Sequence, residues 1–365
     1  MKKILTFLKH DAVLTASLLL AIISAFFVPP SARYVSYIDW RVLALLLSLM
    51  LSVAGLRSGG VFSFLAEKLL AHVKSTRTLS LLLVLLCFFS SMLITNDVAL
   101  ITFVPFGLLL LREIGKQKLY IPITVLMTIA ANLGSMLTPL GNPQNLYLYA
   151  LSGMDIGSFL LLMAKPTGLS FLLLVLACFF IKAEKITPMH SKTAFSVRDT
   201  AFFSLLFLLS LLSVFHVLHY GISLIITVIA VFFYRRRLLT EADYALLLTF
   251  IFFFIFVGNI KEIPAVSTFF ASLVDGRETN VGILLSQIIS NVPAAMLLSG
   301  FTENYEALLL GVNLGGLGTL IASMASLISF KQYACTENAE KGKYLLVFTL
   351  INIVFLAVLW LLLLL

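Results

Sequence analysis

Charged residues are scarce in this chain of 365 residues, and their scarcity excludes a soluble globular protein. Only 12% of the residues are Asp, Glu, Lys or Arg, whereas 61% are hydrophobic and the mean hydropathy is +1.08. Soluble domains carry about 25% charged and about 45–50% apolar residues. Long apolar runs recur along the whole chain, and each can cross a hydrocarbon core about 30 Å thick. The composition therefore predicts an all-α polytopic membrane protein.

Cysteine and histidine are too few and too scattered to suggest a disulfide framework or a metal centre. Cys87, Cys178 and Cys335 form no CxxC pair, and the five histidines form no HExxH pattern. His216 and His219 stand near a predicted helix end, where we expect a membrane-interface position. We therefore predict no metal and no organic cofactor. The net charge of +8 is a sign of membrane topology, and no nucleic-acid partner is expected.

The chain also lacks the residues that intramembrane enzymes need. A rhomboid-like protease requires a GxSx serine with a His in another span, and no His lies deep inside a predicted span. Prenyl transfer requires a DDxxD-type Mg²⁺ site, which is missing. The sequence thus predicts a protein that is not an enzyme. A channel is a further alternative, which differs from a carrier in having no need of a titratable coupling group.

Two polar stretches occur where membrane helices are expected. ANLGSMLTPLGNPQNLYLYAL, residues 131–151, contains two prolines, two glycines, three asparagines and a glutamine. Aligned without gaps 181 residues later, VNLGGLGTLIASMASLISF (312–330) shares its Asn-Leu-Gly-x3-Thr core. Upstream of these breaks, SMLITND (91–97) and SQIISNV (286–292) share the pattern Ser-x3-(Thr/Ser)-Asn. Internal repeats with broken helices are typical of secondary transporters.

The duplicated pattern predicts two inverted repeats, at 1–182 and 200–365, joined by a cytoplasmic linker at 183–199. Each repeat holds a re-entrant hairpin and a broken helix, predicted at 79–112 and 119–150 in the first and at 279–301 and 304–330 in the second. The remaining spans are predicted at 12–28, 40–57, 157–181, 200–218, 221–234, 242–258 and 343–364. Two amphipathic connectors at the membrane interface are predicted at 59–73 and 259–274.

Basic residues are distributed unevenly between the loops that these spans define. Nine full crossings, with the N-terminus in the cytoplasm and the C-terminus outside, place 20 of the 25 basic residues on the cytoplasmic side. Cytoplasmic loops collect Lys and Arg, so this bias supports one orientation. The five bases left on the outside are Arg33, Arg41, Lys165, Lys261 and Arg277.

Asp97 is the only acidic residue deep inside a predicted span, and its repeat counterpart is Val292. A carboxylate within a membrane is costly and by default marks an ion or proton pathway, although capping the second hairpin arm is an alternative role. Ser91, four residues before Thr95, lies on the same helical face. The predicted residues for coupling H⁺ or Na⁺ are Asp97, Ser91, Asn96, Ser286 and Asn291.

Helix breaks free backbone groups that can bind a solute. Free N–H groups at helix N-termini attract anions, and freed carbonyls accept hydrogen bonds or coordinate Na⁺. Small polar side chains near the breaks add neutral donors and acceptors, although they also serve as caps and interhelical hydrogen-bonding groups. The predicted solute-binding residues are Thr95, Asn96, Asn132, Gly134, Thr138, Asn142, Asn145, Ser290, Asn291, Asn313, Gly315 and Thr319.

Three of these segments, ITNDVALITFVP (94–105), ANLGSMLTPLGNPQN (131–145) and ISNVPA (289–294), resemble the ion-transporter superfamily. That group includes arsenite/antimonite permeases, D-type sodium–proton antiporters, citrate carriers and divalent anion–sodium symporters. The resemblance covers nearly the whole chain. It implies a scaffold part and a mobile part that carries the site by an elevator-type displacement, in a homodimer.

The hairpin tips distinguish the branches of that superfamily. The dicarboxylate branch has a Ser-Asn-Thr tip that binds Na⁺ and a carboxylate, and this chain has Asp97 and Val292 at the third position. It is therefore more similar to the arsenite permease and sodium–proton antiporter branches. We expect a plasma-membrane secondary transporter of a small anion, a metalloid oxyacid such as arsenite, or an organic acid, with H⁺ or Na⁺ coupling. A sodium–proton antiporter is the alternative. No Lys or Arg lies deep in a span, which favours a neutral or singly charged solute.

Overall fold

A computed structural model of the chain describes residues 12–70, 73–186 and 195–364, and within those ranges the chain forms helices and turns with one isolated bridge. The predicted N-terminal segment 1–11 and half of the predicted linker lie outside the described residues. The helices are α1 Ala12–Phe27, α2 Arg33–Tyr37, α3 Trp40–Ser58, α4 Val61–Leu70, α5 Thr76–Ile94, α6 Asn96–Glu113, α7 Tyr120–Ser135, α8 Pro143–Ser152, α9 Ile156–Phe179, α10 Val197–Val214, α11 Tyr220–Arg235, α12 Tyr244–Lys261, α13 Pro264–Val274, α14 Glu278–Ile289, α15 Asn291–Leu298, α16 Tyr305–Leu314, α17 Met324–Ala334 and α18 Lys341–Leu364.

Seven helices in the described ranges are long and apolar enough to cross a membrane. They are α3, α5, α9, α10, α12, Gln117–Ser135 and Lys341–Leu363. The predicted crossings at 12–28 and 221–234 form α1 and α11, which have 16 residues each. The seven also include α5, which is the first arm of the predicted hairpin 79–112. The all-helical membrane architecture is thus confirmed, and the count of nine crossings stays a prediction.

Each segment predicted as a hairpin consists of two helices joined at a single residue. α5 meets α6 at Thr95, with φ 70° and ψ 150°, and α14 meets α15 at Ser290, with φ 76° and ψ 154°. A positive φ is uncommon for any residue with a Cβ and is strained for a β-branched threonine. The same strained turn occurs at matched positions of the two tip segments.

Each segment predicted as a broken helix contains two α-helices with a stretch between them that is not α-helical, and the second stretch includes a short 3-10 helix, Leu320–Ala322. In the first, α7 ends at Ser135 and α8 begins at Pro143, where proline fits because its missing N–H would be unpaired in any case. The Oδ1 atom of Asn142 caps α8 by accepting the Asn145 N–H at 2.8 Å. In the second, α16 ends at Leu314 and α17 begins at Met324.

Glycine lets each break pack closely against the hairpin of its own half. A Cβ added to Gly134 would lie 2.1 Å from the Phe88 carbonyl oxygen and 2.8 Å from Ser91 Oγ. A Cβ added to Gly315 would lie 2.6 Å from Ser286 Oγ. Only a residue without a side chain permits these approaches.

Candidate functional site

Four helices begin around one cluster of buried asparagines. They are α6, α8, α15 and α17, which start next to the two hairpin tips and the two breaks. The Asn96 N–H at the start of α6 donates to the Gly141 carbonyl in the first break, at 2.9 Å. Helix N-termini carry partial positive charge and free N–H groups, so the cluster lies among positive backbone poles.

Asn132, in the first break, hydrogen-bonds mainly to residues of the second. Its Nδ2 donates to the Gly316 carbonyl and to Ser326 Oγ, both at 3.3 Å. Its Oδ1 accepts from Ser323 Oγ at 3.0 Å and from Asn96 Nδ2 at 3.0 Å. The side chain is buried, with 4% exposed. It therefore joins the first hairpin tip to the second break.

Asn313, in the second break, makes the reciprocal contacts to the first. Its Nδ2 donates to Asn145 Oδ1 at 2.7 Å, and its Oδ1 accepts from Asn142 Nδ2 at 3.1 Å. The positions 181 residues after Asn142 and Asn145 are Ser323 and Ser326, the two serines that bond to Asn132. The same spacing relates Asn132 to Asn313. The two halves thus exchange equivalent hydrogen bonds through equivalent residues.

The hydroxyls of Thr138 and Thr319 do not join this cluster. Thr138 Oγ1 donates to the Met92 carbonyl, and Thr319 Oγ1 donates to the Gln287 carbonyl at 3.2 Å. Each threonine thus ties its break to the hairpin of its own half. The Gln287 side chain strengthens the second tie, because its Nε2 donates to the carbonyls of Gly315 and Leu317, each at 2.9 Å.

The predicted serines also bond close to their own helices. Ser91 Oγ donates to the Phe88 carbonyl at 2.9 Å, and Ser286 Oγ donates to the Gly282 carbonyl at 2.6 Å. Ser290 Oγ lies 3.5 Å from Asn291 Oδ1 and from the Ala322 carbonyl. The structure places Asn96, Asn132, Asn142, Asn145 and Asn313 in one network, because Ser135 Oγ accepts from Asn142 Nδ2 at 3.0 Å and donates to the Asn132 carbonyl at 2.9 Å. It places the serines at the packing surfaces around that network.

Asp97 lies on a cavity of about 180 Å³, which we name the Asp97 cavity. Its Oδ1 atom is buried and has no hydrogen-bond partner among the described residues. Thr95 and Asn142 also line the cavity, and its wall is otherwise largely aliphatic. The charged residues that line it, besides Asp97, are Arg57, Glu241 and Asp243. Arg57 and Glu241 form an ion pair of 3.7 Å.

A larger cavity of about 590 Å³ lies at the opposite end of α3 and α12, and we name it the Tyr147 cavity. Tyr147 and Ser299, both buried, line it and share a hydrogen bond of 2.8 Å. The Tyr147 ring also packs against Phe250 and Phe254 of α12, with centroid distances of 6.1 and 5.8 Å. The charged residues of its lining are Asp39, Arg41, Lys261 and Glu262.

The two cavities are built from equivalent parts of the two halves. The end of α3 and the start of α12 form the Asp97 cavity, whereas the start of α3 and the end of α12 form the Tyr147 cavity. Asp39 caps α3 and Asp243 caps α12, and these aspartates are 204 residues apart. Arg57 and Lys261 have the same separation. Helices α3 and α12 therefore contribute the same positions to cavities at opposite ends.

Sequence reasoning missed several residues of this arrangement. Ser323 and Ser326 were available from the ungapped alignment, because they fall on Asn142 and Asn145. Gln287 stands inside the quoted hairpin segment, but the shared pattern skips it. Asp243 and Glu241 lie at helix ends in the sequence, and no sequence signal brings them to the cavity of Asp97.

Comparison with known proteins confirms the resemblance to citrate and arsenite permeases. A family model described as "Citrate transporter" matches residues 4–304. An uncharacterized transporter of Methanocaldococcus jannaschii is 34% identical over 324 residues, with 88% of each chain covered. The inner membrane protein YbiR of Escherichia coli is 31% identical over 337 residues, covering 89% of this chain and 88% of its own.

A shorter match links the chain to a plant protein. The silicon efflux transporter LSI3 of Oryza sativa subsp. japonica is 32% identical over 147 residues, which cover 40% of this chain and 30% of the plant protein. The matched family and two of these three relatives are named as transporters, and the third is named as an inner membrane protein, so a membrane transporter is supported.

Proposed function

Since this chain belongs to the citrate transporter family, we propose that it is a secondary active transporter of a small oxyacid, coupled to H⁺ or Na⁺ through Asp97. The observation that carries the proposal is the pair of equivalent cavities at opposite ends of α3 and α12, with the reciprocal asparagine network between the two halves. Such an arrangement suits alternating access, in which a central site opens to one side at a time.

Two inverted repeats account for these equivalences. α3 and α12 place matched residues at opposite ends, the hairpin tips share one strained turn, and the breaks exchange matched hydrogen bonds. Inverted repeats that meet at broken helices are the usual frame of alternating-access carriers. We propose that the hairpins and breaks move together as the carrying unit of an elevator-type mechanism. A homodimer would supply the fixed scaffold.

The uneven distribution of basic residues between the predicted loops suggests which side of the membrane each cavity faces. Arg57 lies at the Asp97 cavity and Arg41 at the Tyr147 cavity, on opposite sides of the predicted topology. The positive-inside rule then orients the Asp97 cavity toward the cytoplasm and the Tyr147 cavity outward. In this orientation, the N-terminus is cytoplasmic and the first hairpin tip is accessible from the cytoplasm.

The charges around Asp97 favour a neutral or singly charged solute. Three carboxylates and one arginine line the cavity, and that arginine is paired with Glu241. A citrate trianion would be repelled by the net negative charge here. An uncharged oxyacid would instead form hydrogen bonds with amides, hydroxyls and helix N-termini. Arsenite, which is protonated near neutral pH, is one such acid. Silicic acid is another, in keeping with the name of the plant relative.

Asp97 is the group we propose for coupling. Its Oδ1 is buried with no hydrogen-bond partner among the described residues, and it adjoins the asparagine network through Asn96, whose Oδ1 accepts the Asp97 N–H at 2.9 Å. An ionised carboxylate without partners is costly in such a place, so a proton or a cation would stabilise it. Loading and release of that ion could then follow the opening of each side.

The test is uptake into proteoliposomes under imposed pH or Na⁺ gradients. The panel comprises arsenite, silicic acid, phosphate, succinate, citrate and Na⁺. We expect gradient-driven accumulation of an uncharged or singly charged oxyacid, and a loss of about 100-fold or more in Asp97→Asn. Asp155→Asn is the matched control. Asp155 is an exposed helix cap, so the variant should transport normally.

Two outcomes would contradict the proposal. If citrate were the best solute and Asp97→Asn kept full accumulation, the charge argument and the coupling role would both be wrong. If Asp97→Asn kept rapid downhill flux and no gradient drove accumulation in the unsubstituted protein, the protein would be a channel.

A sodium–proton antiporter is the second candidate, and one observation favours it. Asp243 lines the same cavity as Asp97, so the site offers a second carboxylate of the kind that cation–proton exchange uses. In that case, Na⁺ would exchange for H⁺ in the same vesicles without any oxyacid, and Asp243→Asn would reduce the exchange together with Asp97→Asn.

A further inference from the structure

Basic side chains are concentrated where the first hairpin begins. The loop before α5, the turn before α7 and the segment after α9 lie together at one end of the bundle. They contribute six bases and one acid, which we name the basic cluster. Its members are Lys74, Arg77, Lys116, Lys118, Lys182, Glu184 and Lys185.

Hydrogen bonds to main-chain groups hold the loop before α5 and the segment after α9 together. Thr76 Oγ1 donates to the Lys182 carbonyl at 2.6 Å and accepts the Glu184 N–H at 2.9 Å. The Ile186 N–H donates to the Lys74 carbonyl at 3.1 Å. Lys116 reaches the same place through its hydrogen bond to Glu184. The main chain therefore holds the loop before α5 next to the segment after α9, and the Lys116–Glu184 contact brings the turn before α7 to them.

The single acid of the cluster is already engaged. Glu184 hydrogen-bonds to Lys116 and lies 3.8 Å from the Lys182 ammonium, and the Lys116 hydrogen bond holds the pKa of Glu184 below its usual value. In the part of the chain that the structure describes, Lys74, Lys118 and Lys185 are exposed and form no ion pair. A net positive surface therefore remains for a partner.

An apolar, lipid-facing surface adjoins this positive one. Phe179 and Phe180, at the end of α9, are 56% and 84% exposed, and Leu176 is exposed one turn earlier. The Arg77 guanidinium lies 5.7 Å from the centre of the Phe179 ring. Exposed aromatic rings with basic groups above them are typical of the level at which lipid headgroups lie.

We propose that the basic cluster binds the headgroup of an anionic phospholipid. The phosphate would lie over Lys118, Lys182 and Lys185 while the acyl chains lie along α9. Basic pockets between membrane helices bind anionic headgroups in this way. Because the cluster joins the start of α5 to the start of α7 and the end of α9, the bound lipid would hold the base of the first hairpin. The proposal does not depend on which solute is transported.

The test compares lipid retention by the full-length protein in native mass spectrometry. Protein in mixed phosphatidylglycerol and phosphatidylcholine is compared with the triple variant Lys118→Gln, Lys182→Gln, Lys185→Gln. We expect the unsubstituted protein to retain phosphatidylglycerol in preference to phosphatidylcholine. In the triple variant, the ratio of the two bound lipids should fall at least about tenfold, since each lysine near a membrane surface contributes about fivefold to the affinity for an anionic lipid. Replacing the same three lysines by arginine should restore the preference.

A second triple, Arg33→Gln, Lys165→Gln and Arg277→Gln, is the matched control. Like the first triple, it removes three exposed bases, one of them in an exposed ion pair, but all three belong to the side that the basic-residue distribution predicts to face outward. It should keep the preference. Equal losses in both triples, or no loss in the first, would overturn the proposal. Displacement of the lipid by millimolar inorganic phosphate would also overturn it, because the site would then be one for free phosphate.

Discussion

The two cavities are lined by equivalent positions of the two halves, but the side chains at those positions differ. Above the Tyr147 cavity, two aromatic rings of α12 pack on Tyr147, whose hydroxyl is bonded to Ser299. The equivalent positions at the Asp97 cavity are Leu46, Met50 and Ile328, which are aliphatic and line open space. The two hairpin tips also differ in their exposure to the cavities. Thr95 and Asp97 line their cavity, whereas Ser290 and Val292 are buried.

A few side chains therefore make the Asp97 end and the Tyr147 end of the molecule unequal, although equivalent positions line both. Aromatic packing and one hydrogen bond can stabilise closure at the Tyr147 end, whereas the equivalent positions at the Asp97 end, Leu46, Met50 and Ile328, offer only aliphatic contacts. If the proposed alternating-access mechanism is right, this difference favours the state in which Thr95 and Asp97 line their cavity and Ser290 and Val292 are buried.

The largest loss of stability is expected from Gly134→Ala, which acts on the packing of the first break against the first hairpin. Its Cβ would lie 2.1 Å from the Phe88 carbonyl oxygen, so backbone must shift. We expect a loss of about 3 kcal/mol or more and little monodisperse protein, measured by size-exclusion chromatography and thermal unfolding.

Two matched variants rank this effect. Gly315→Ala meets the Ser286 side chain at 2.6 Å and the Gly311 carbonyl oxygen only at 2.9 Å, so its loss of stability should be smaller, about 1–3 kcal/mol. Gly168→Ala, in α9, meets nothing within 4 Å and should leave the protein as stable as before. Equal stability of all three variants would show that the close approaches are absent in the membrane.

The second prediction concerns the reciprocal asparagines. Asn132→Ala and Asn313→Ala each leave buried partners unsatisfied, among them Ser323 and Asn142. We expect each variant to lower the transport rate by about tenfold to hundredfold, and the two losses to agree within about threefold. The measurement is initial uptake in proteoliposomes at equal protein density.

Asn352→Ala provides the control for a buried asparagine outside the network. Asn352 lies in α18, and its Nδ2 donates to the Phe348 carbonyl of the same helix at 2.8 Å. Its loss should affect stability more than transport. Strongly unequal effects of Asn132→Ala and Asn313→Ala would show that the two breaks do not act as equivalent halves.

The sequence predicted the architecture of these elements more completely than their contacts. Hydropathy and the breaks at Pro143 and Gly315 located the helices, because apolar runs and helix-breaking residues are local signals. The shared Asn-Leu-Gly-x3-Thr core also located the asparagines that form the network. Both signals depend only on neighbours in the chain.

Contacts between distant segments could not be predicted in the same way. The sequence predicts that Thr138 and Thr319 bind the solute, and it gives no sign that their hydroxyls donate to hairpin carbonyls. Asp243 has the sequence context of an ordinary helix cap, and it also caps α12. That it lines a cavity with Asp97 depends on how α12 packs against the first half, which no local pattern encodes.

The third prediction removes one atom from the Tyr147 end. Tyr147→Phe deletes the hydroxyl bonded to Ser299 and keeps the ring, so closure should weaken by about fivefold. A cysteine at buried Val292, in a background with Cys335→Ser, should then react faster with a membrane-impermeant thiol reagent. Ser299→Ala should give the same increase, and the double variant no more than either single one.

Tyr149→Phe controls for loss of a tyrosine hydroxyl on the same helix. Tyr149 is buried against Phe159, and its hydroxyl has no hydrogen bond to Ser299. Labelling should therefore stay unchanged. Equal labelling in Tyr147→Phe and Tyr149→Phe would mean that the hydrogen bond does not hold this end closed.

The smallest effect is expected at the matched bases of the two cavities. Arg57→Gln breaks the ion pair with Glu241, both of whose side chains are about one-third exposed. Such partly exposed pairs contribute at most about 1 kcal/mol, so transport should change by no more than about fivefold, and less at high salt. Lys261→Gln removes the equivalent base, which forms no ion pair among the described residues, and should change less still. A larger effect at Lys261 than at Arg57 would reverse the inferred order of the two ends, because the outer base would then control access to the site.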